Sequence, residues 1–221
     1  MSLRGEYHQR AYEPPPDSTE LVLVRHGSSA AAVPGEEFEL VEGQGDPGLA
    51  PEGVEQAARV ARRLAGDRYV GLFVSPLTRT RQTAAPIAAA CGLEPAFIGD
   101  LREVNTGELE GGKFRIAVAH GDPIIARLLE AERWDVIPGA EPMEAFEARV
   151  HAAAAEIVAA GPGAAIVVTH GGVVAELCRQ ATGSRPFAFL NADNASITRI
   201  VFLPDGKQIL RVYNDTAHLT E

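Results

Sequence analysis

Leu21-Val22-Leu23-Val24-Arg25-His26-Gly27 is the stretch on which the reading of this chain turns. Four consecutive apolar residues without polar alternation describe a short strand buried on both faces, as in a parallel sheet covered by helices. The run then breaks at once into an arginine, a histidine and a glycine. Charge and a titratable ring therefore stand where the strand leaves the core, and the glycine lets another group approach the backbone closely.

The same pattern recurs along the chain. Val70-Gly71-Leu72-Phe73-Val74 and Ala164-Ala165-Ile166-Val167-Val168 are further buried-strand candidates, and a fourth strand end falls around Phe97-Ile98. Ile197 to Phe202 and Ile209 to Tyr213 bracket Pro204-Asp205-Gly206-Lys207, which predicts a hairpin. Helical spacing lies between the strands. Pro51 opens one helix, with Val54, Ala57, Ala58, Ala61 and Leu64 on one face. Thr80 to Ala90, Pro142 to Ala160 and Val173 to Ala181 give three more. Strands alternating with helices predict an α/β fold of three layers, a mostly parallel central sheet with helices on both faces. Residues 1–18, polar and ending in Pro14-Pro15-Pro16, are expected to form an extended arm, and 19–221 one domain. The glycine- and acid-rich stretch from Val33 to Gly48 is expected to be a loop over one end of the sheet.

Composition narrows the function. The chain has 221 residues, a net charge of −10 and two cysteines, Cys91 and Cys178, set among apolar or small neighbours and read as reduced thiols. The acidic balance argues against a nucleic-acid or anionic-membrane partner. No apolar run approaches membrane-spanning length, and the first twenty residues lack the apolar segment of a secretory signal, so a cytoplasmic location is expected. An acidic protein that binds an anion must concentrate its basic residues locally.

Two strand ends offer such a place. His26 follows the first strand, and His170 follows another in Val168-Thr169-His170-Gly171-Gly172. Ligands of open parallel sheets bind beyond the carboxyl ends of the strands, so both histidines are expected in one crevice. Each turn leads into a helix whose free N–H groups favour an anion. Arg25 adjoins His26, and Arg79 lies one turn beyond the strand ending at Val74. Two guanidiniums beside two imidazoles suit a phosphate dianion, because arginine matches its oxygens bidentately. Glu103, beyond the fourth strand end, is the candidate proton donor, with Glu108 and Glu110 as near competitors.

From about Leu21 to Leu219 the chain resembles the histidine phosphatase superfamily, the phosphoglycerate-mutase-like fold. Five motifs in order carry the resemblance: Arg25-His26-Gly27; Leu49-Ala50-Pro51-Glu52-Gly53; Ser75-Pro76-Leu77-Thr78-Arg79 with Gln82-Thr83-Ala84; Leu101-Arg102-Glu103 with Glu110-Gly111; and Val168-Thr169-His170-Gly171-Gly172. Asn214 to Leu219 is similar to a tail common in the phosphatase branch. Ser28 stands where the family often has glutamate, and Ala32 where many members carry asparagine. The resemblance implies a phosphomonoester hydrolase in which neutral His26 attacks phosphorus and becomes a phosphohistidine. Arg25, Arg79, His170 and Gly171 would hold the phosphoryl group and Glu103 would protonate the leaving oxygen. A small phosphorylated substrate is implied, with no cofactor and no metal; a homodimer stays open. His120, in a mimic of the strand–His–Gly turn, has no motif partner, and His8, His151 and His218 read as surface or packing residues.

Three other functions compete: a bisphosphoglycerate-dependent mutase, a phospho-ligand-binding member with a weakened site, and a two-histidine metal hydrolase. This chain shows no counterpart to the basic, tyrosine-containing segments with which mutases retain a bisphosphate; Gly112 to Pro138 reads instead as a short helical cap. The metal reading is disfavoured because Arg25 would repel a cation.

Overall fold

The computed structural model describes residues 8–220. The central strand, β1 (Thr19–Arg25), is followed by the two short strands β2 (Leu40–Val41) and β3 (Gln44–Gly45), helix α1 (Pro51–Leu64), β4 (Gly71–Val74), α2 (Thr78–Cys91) and β5 (Pro95–Phe97). Then come α3 (Lys113–His120), α4 (Pro123–Ala131), α5 (Met143–Ala159), β6 (Gly163–Thr169), α6 (Gly171–Thr182), β7 (Ile197–Phe202) and β8 (Gln208–Asp215). Six strands form one sheet in the order β5-β4-β6-β1-β7-β8. The first four in that order pair in parallel, while β7 and β8 join antiparallel as the expected hairpin.

β1 explains the layering. Leu21 and Leu23 pack with Phe146, Val150 and Ile157 of α5 and with Val173, Val174 and Leu177 of α6. Val22 and Val24 point the other way, against Val60 and Leu64 of α1 and Ala84 and Ile87 of α2. All four are completely buried. Two-residue periodicity sends neighbours to opposite faces, so a continuous apolar run is what a strand between two helical layers needs.

Several boundaries differ from expectation, and Val54, expected on the apolar face of α1, is exposed, while Val60 is buried there. α2 starts at Thr78 rather than Thr80, which puts Arg79 inside its first turn. α6 starts at Gly171, directly after its N-cap His170; the glycine pair that reads as a turn is helical. The stretch from Val33 to Gly48 is not all loop, since β2 and β3 pair within it. Asp46 just beyond them accepts from the Thr78 backbone N–H and hydroxyl, both at 2.7 Å, and so caps α2 with a residue remote in sequence. Gly112 to Pro138 is helical, as read, and forms α3, α4 and a short 3₁₀ turn. Residues 8–18 carry no helix or strand, and the Tyr12 ring lies 4.3 Å from the Arg211 guanidinium on β8. Cys178 is buried, whereas Cys91 is only partly so; both are free thiols.

Where β1 ends, the backbone passes α1 at very short range. A Cβ on Gly53 would sit 1.9 Å from the Ser28 carbonyl oxygen, and one on Gly27 2.5 Å from that of Gly53. Gly53→Ala is expected to destabilise the fold by roughly 3 kcal/mol, the upper range for overpacking. Gly99→Ala, which meets no atom within 4 Å, should stay within about 0.5 kcal/mol. Urea unfolding of the two variants checks the pair.

Candidate active site

Register brings the site together. In the parallel pairing of β1 with β6, Arg25 stands opposite Thr169, so the next residues, His26 and His170, leave the sheet at one level. The His26 N–H donates to the Thr169 carbonyl at 2.9 Å, and the two imidazole centroids are 5.2 Å apart. β4 ends beside β6 with Val74 opposite Val168, which delivers Ser75 to the same place. The Ser75 hydroxyl lies 2.7 Å from His170 Nε2.

His26 has a defined tautomer. Nδ1 is 2.7 Å from the Gly27 carbonyl, and a carbonyl only accepts, so Nδ1 carries the hydrogen and Nε2 keeps its lone pair. Burial pushes the His26 pKa well below its ordinary value, and repulsion by Arg79 and then Arg25 adds to it. His170 is shifted the same way, by burial first and then by Arg79, His26 and Arg25. Asn194 donates to the His26 carbonyl at 2.9 Å, and the Gly27 N–H donates to Thr83 of α2 at 3.1 Å.

Arg25, His26, Arg79, Glu103 and Gly171 line one cavity of about 800 Å³. His170 lies against it but is completely buried, a layer deeper than the open crevice position that its strand end predicts. Arg25 donates through one terminal nitrogen to the Ala192 carbonyl, while its Nε is buried without a partner. His170 Nδ1 is likewise buried and unpartnered. Gly171 lies close beside Arg25: a Cβ there would fall 3.3 Å from the Arg25 Nε, a tight contact. Arg79 donates to the Gly45 carbonyl at 3.0 Å and lies 3.8 Å from Asp46. Burial lowers the basicity of both arginines, and Glu103 is the first group that offsets it.

Glu103 reaches the cavity because its segment is tied from three sides. Thr169 donates to the Leu101 carbonyl at 2.8 Å, and Gln44 donates to the Glu103 carbonyl at 2.5 Å. Arg149 of α5 donates to the carbonyls of Asp100, Arg102 and Glu103 and pairs with Glu141 at 2.6 Å. The Glu103 carboxylate accepts from the backbone N–H groups of Val104 at 3.0 Å and Gly172 at 3.1 Å, so it sits on the first turn of α6. A Cβ on Gly172 would come within 2.4 Å of Glu103 Oε1. Glu110 borders the cavity but is engaged by Thr106 and Gly45, and Glu108 is exposed and outside the lining.

Sequence reading missed four contributors. Arg115 of α3 enters the lining, bonded to the Ala30 carbonyl at 2.8 Å and the Ser29 hydroxyl at 2.7 Å. Ser75, Gly172 and Arg149 act through contacts between remote segments. Only Ser75 and Gly172 had a sequence signal, standing inside motifs. His120 ends α3, exposed and away from the cavity lining, and His218 packs against the Ala195 carbonyl at 3.0 Å. Among the described residues, no cluster of three or more His, Cys, Asp or Glu side chains is placed to hold a metal, and no helix is long and apolar enough to cross a membrane.

The family model of the histidine phosphatase superfamily, branch 1, matches residues 21–215. The chain belongs to that superfamily. It is 31% identical over 184 residues to a protein named probable phosphoglycerate mutase from Salmonella choleraesuis, covering 82% of this chain and 84% of the relative. Among solved structures it resembles a phosphoglycerate mutase from Bacillus anthracis, with a TM-score of 0.75 and 25% identity over 92% of this chain and 96% of the other. It also resembles a phosphoserine phosphatase from Entamoeba histolytica in complex with 3-phosphoglyceric acid, with a TM-score of 0.72 and 25% identity over 91% and 99%. Mutases and phosphatases thus both stand among its relatives.

Neutral buried histidines make stability depend on pH. Unfolded imidazoles titrate near 6.5 and bind protons that the folded rings refuse. Stability is therefore whole above about pH 6.5 and falls below it, by up to about 1.4 kcal/mol per pH unit for each histidine. Urea midpoints measured from about pH 7.5 to about pH 5.5 should show that fall, and His170→Asn should make it shallower.

Proposed function

We propose that this histidine phosphatase superfamily member hydrolyses phosphomonoesters through a phosphohistidine on His26. The observation that carries the reading is the fixed tautomer: with Nδ1–H held by the Gly27 carbonyl, the Nε2 lone pair belongs to a ring lining the same cavity as two arginines and a carboxyl group. In the proposed reaction Nε2 attacks phosphorus in line and the P–O bond to the leaving group breaks. Glu103 passes a proton to the leaving oxygen. A water then attacks the phosphohistidine, Glu103 takes its proton, and the N–P bond breaks to return neutral His26 and inorganic phosphate.

Arg25 and Arg79 balance the phosphoryl charge, aided by the positive end of the α6 dipole, so that positive potential is already fixed before reaction. If Ser75 donates to His170 Nε2, the His170 hydrogen sits on Nδ1, the atom left unpartnered in the free protein. That N–H and the unpartnered Arg25 Nε are then the two donors that an entering anion draws into contact. Such bonds commonly tighten only in the bound complex. The arginines supply the positive charge, so the scheme uses no metal.

The Salmonella and Bacillus relatives named as mutases support a second reading, in which the phosphohistidine passes its group to a second phosphoglycerate rather than to water. Dependence of phosphoglycerate turnover on added bisphosphoglycerate separates the two.

The hydrolase reading predicts phosphate release that persists in chelator and falls at least about a hundredfold in His26→Ala. An acid-labile phosphoprotein should be trapped on rapid quenching of the parent and be absent from the variant. Glu103→Gln should lose about 10²- to 10⁴-fold on alkyl phosphates and much less on p-nitrophenyl phosphate, whose leaving group needs no proton. Equal losses on the two esters would remove Glu103 from the role of acid.

A further inference from the structure

The cavity has two chemically distinct halves. The sheet side is cationic and polar, with Arg25, Arg79, Glu103 and Asn194. The cap side, from α3 through the turn after α4, presents Phe114, Val118, Ile125, Leu128, Leu129 and Trp134. Two of these are not buried by the protein itself: Val118 is 50% and Leu129 54% exposed, although both face the cavity. Behind them Trp134 is fixed by Phe187 and Phe114, with ring centroids 5.0 and 6.0 Å away, and Leu128 is 1% exposed, so the wall is backed by core. An apolar surface left open beside a charged cradle is a place where a ligand completes the burial.

The cap side offers few polar groups. Arg115 is the one charged residue that α3 and α4 contribute to the lining, and two of its five N–H groups donate to the Ala30 carbonyl and the Ser29 hydroxyl. Glu110, next to the cap, accepts from Thr106 and Gly45. A carboxylate or polyol on the leaving group would find few partners along that wall beyond the remaining Arg115 N–H groups. A hydrocarbon or aromatic body would compete with nothing and would cover the open side chains.

We infer that the substrates are phosphomonoesters whose leaving alcohol carries an extended apolar or aromatic body, seated against Val118, Leu129 and the wall behind them. The inference rests on the hydrolase reading above and names its substrate class. Recognition is divided: the cradle takes the phosphoryl group without regard to the alcohol, and the cap sorts alcohols by the apolar surface they bring. Transfer of one methylene from water is worth about fourfold in affinity. A chain that lies along the cap should express that factor in kcat/KM until it outgrows the wall.

The test uses primary alkyl phosphates, whose leaving alcohols differ little in basicity, so that the chemical step is matched. Phosphate release is measured for ethyl, butyl, hexyl and 2-phenylethyl phosphate against glycerol 3-phosphate, 3-phosphoglycerate and phosphoserine. The expected result is a kcat/KM that climbs by up to about fourfold per methylene from ethyl to hexyl, with hexyl and 2-phenylethyl phosphate above the three polar esters by at least tenfold. Val118→Asp and Leu129→Asp, at half-exposed positions where folding is not at stake, should flatten the climb. Val54→Asp, at an equally exposed apolar residue on α1 outside the cavity, should keep it. A kcat/KM indifferent to chain length, or one highest for 3-phosphoglycerate or phosphoserine, overturns the substrate class while leaving the hydrolase intact. No phosphate release from any ester, and no trapped phosphoprotein, overturns the hydrolase reading and this inference with it.

Discussion

Parallel pairing of β1 with β6, with Arg25 opposite Thr169, governs everything at the carboxyl end of the sheet. Because side chains alternate along a strand, a slip of one residue would turn Leu21 and Leu23 to the opposite helical layer and separate His26 from His170. The apolar run that locks the register is therefore also what brings two imidazoles, 144 positions apart, to 5.2 Å. β4 extends the logic by one strand and brings Ser75 to the second ring. α2 then starts soon enough after β4 for Arg79 to turn back into the cavity. The close passage of Gly27 past Gly53 fixes the direction in which the chain leaves.

The electrostatics of the site depend on that geometry. Two arginines close to two buried rings would be unfavourable if the rings were charged, and burial together with the arginines keeps them neutral. The arginines in turn are held in a protein of net charge −10 by a few specific acceptors: the carbonyls of Ala192 and Gly45, with Asp46 and Glu103 nearby. Concentrating positive charge in one cleft of an acidic surface restricts where an anion can settle. Two buried nitrogens without partners, Arg25 Nε and His170 Nδ1, belong to residues of this site. An unpartnered buried polar atom is costly to leave unpaired.

Much of this was legible in the sequence, for a physical reason. Strands buried on both faces leave continuous apolar runs, and the charged residue that ends each run marks the sheet edge, so Arg25, His26, Arg79, His170 and Glu103 could be picked out without coordinates. Helix starts were less legible: the Gly171-Gly172 pair reads as a turn, yet His170 caps a helix that includes both. Least legible were residues whose meaning lies in a remote partner. Nothing near Arg149 in the chain announces that it clamps the segment carrying Glu103, and nothing near Arg115 announces its bond to Ser29. The depth of His170 was also hidden, because a strand end gives direction but not how far the following ring sinks below the cavity floor.

The two margins of the sheet are guarded in different ways. β5 is three residues long and begins with Pro95, which has no N–H to offer a neighbour, while the Arg81 guanidinium covers the Phe97 ring at 4.1 Å. At the opposite margin β8 pairs with β7 through register shifts near Arg199, and Arg211 on its flank lies over Tyr12 of the preceding segment. Short length, proline, irregular pairing and covering cations are the means by which strand borders avoid templating a second chain. Continuation of the sheet from one molecule into the next is thus discouraged at both borders.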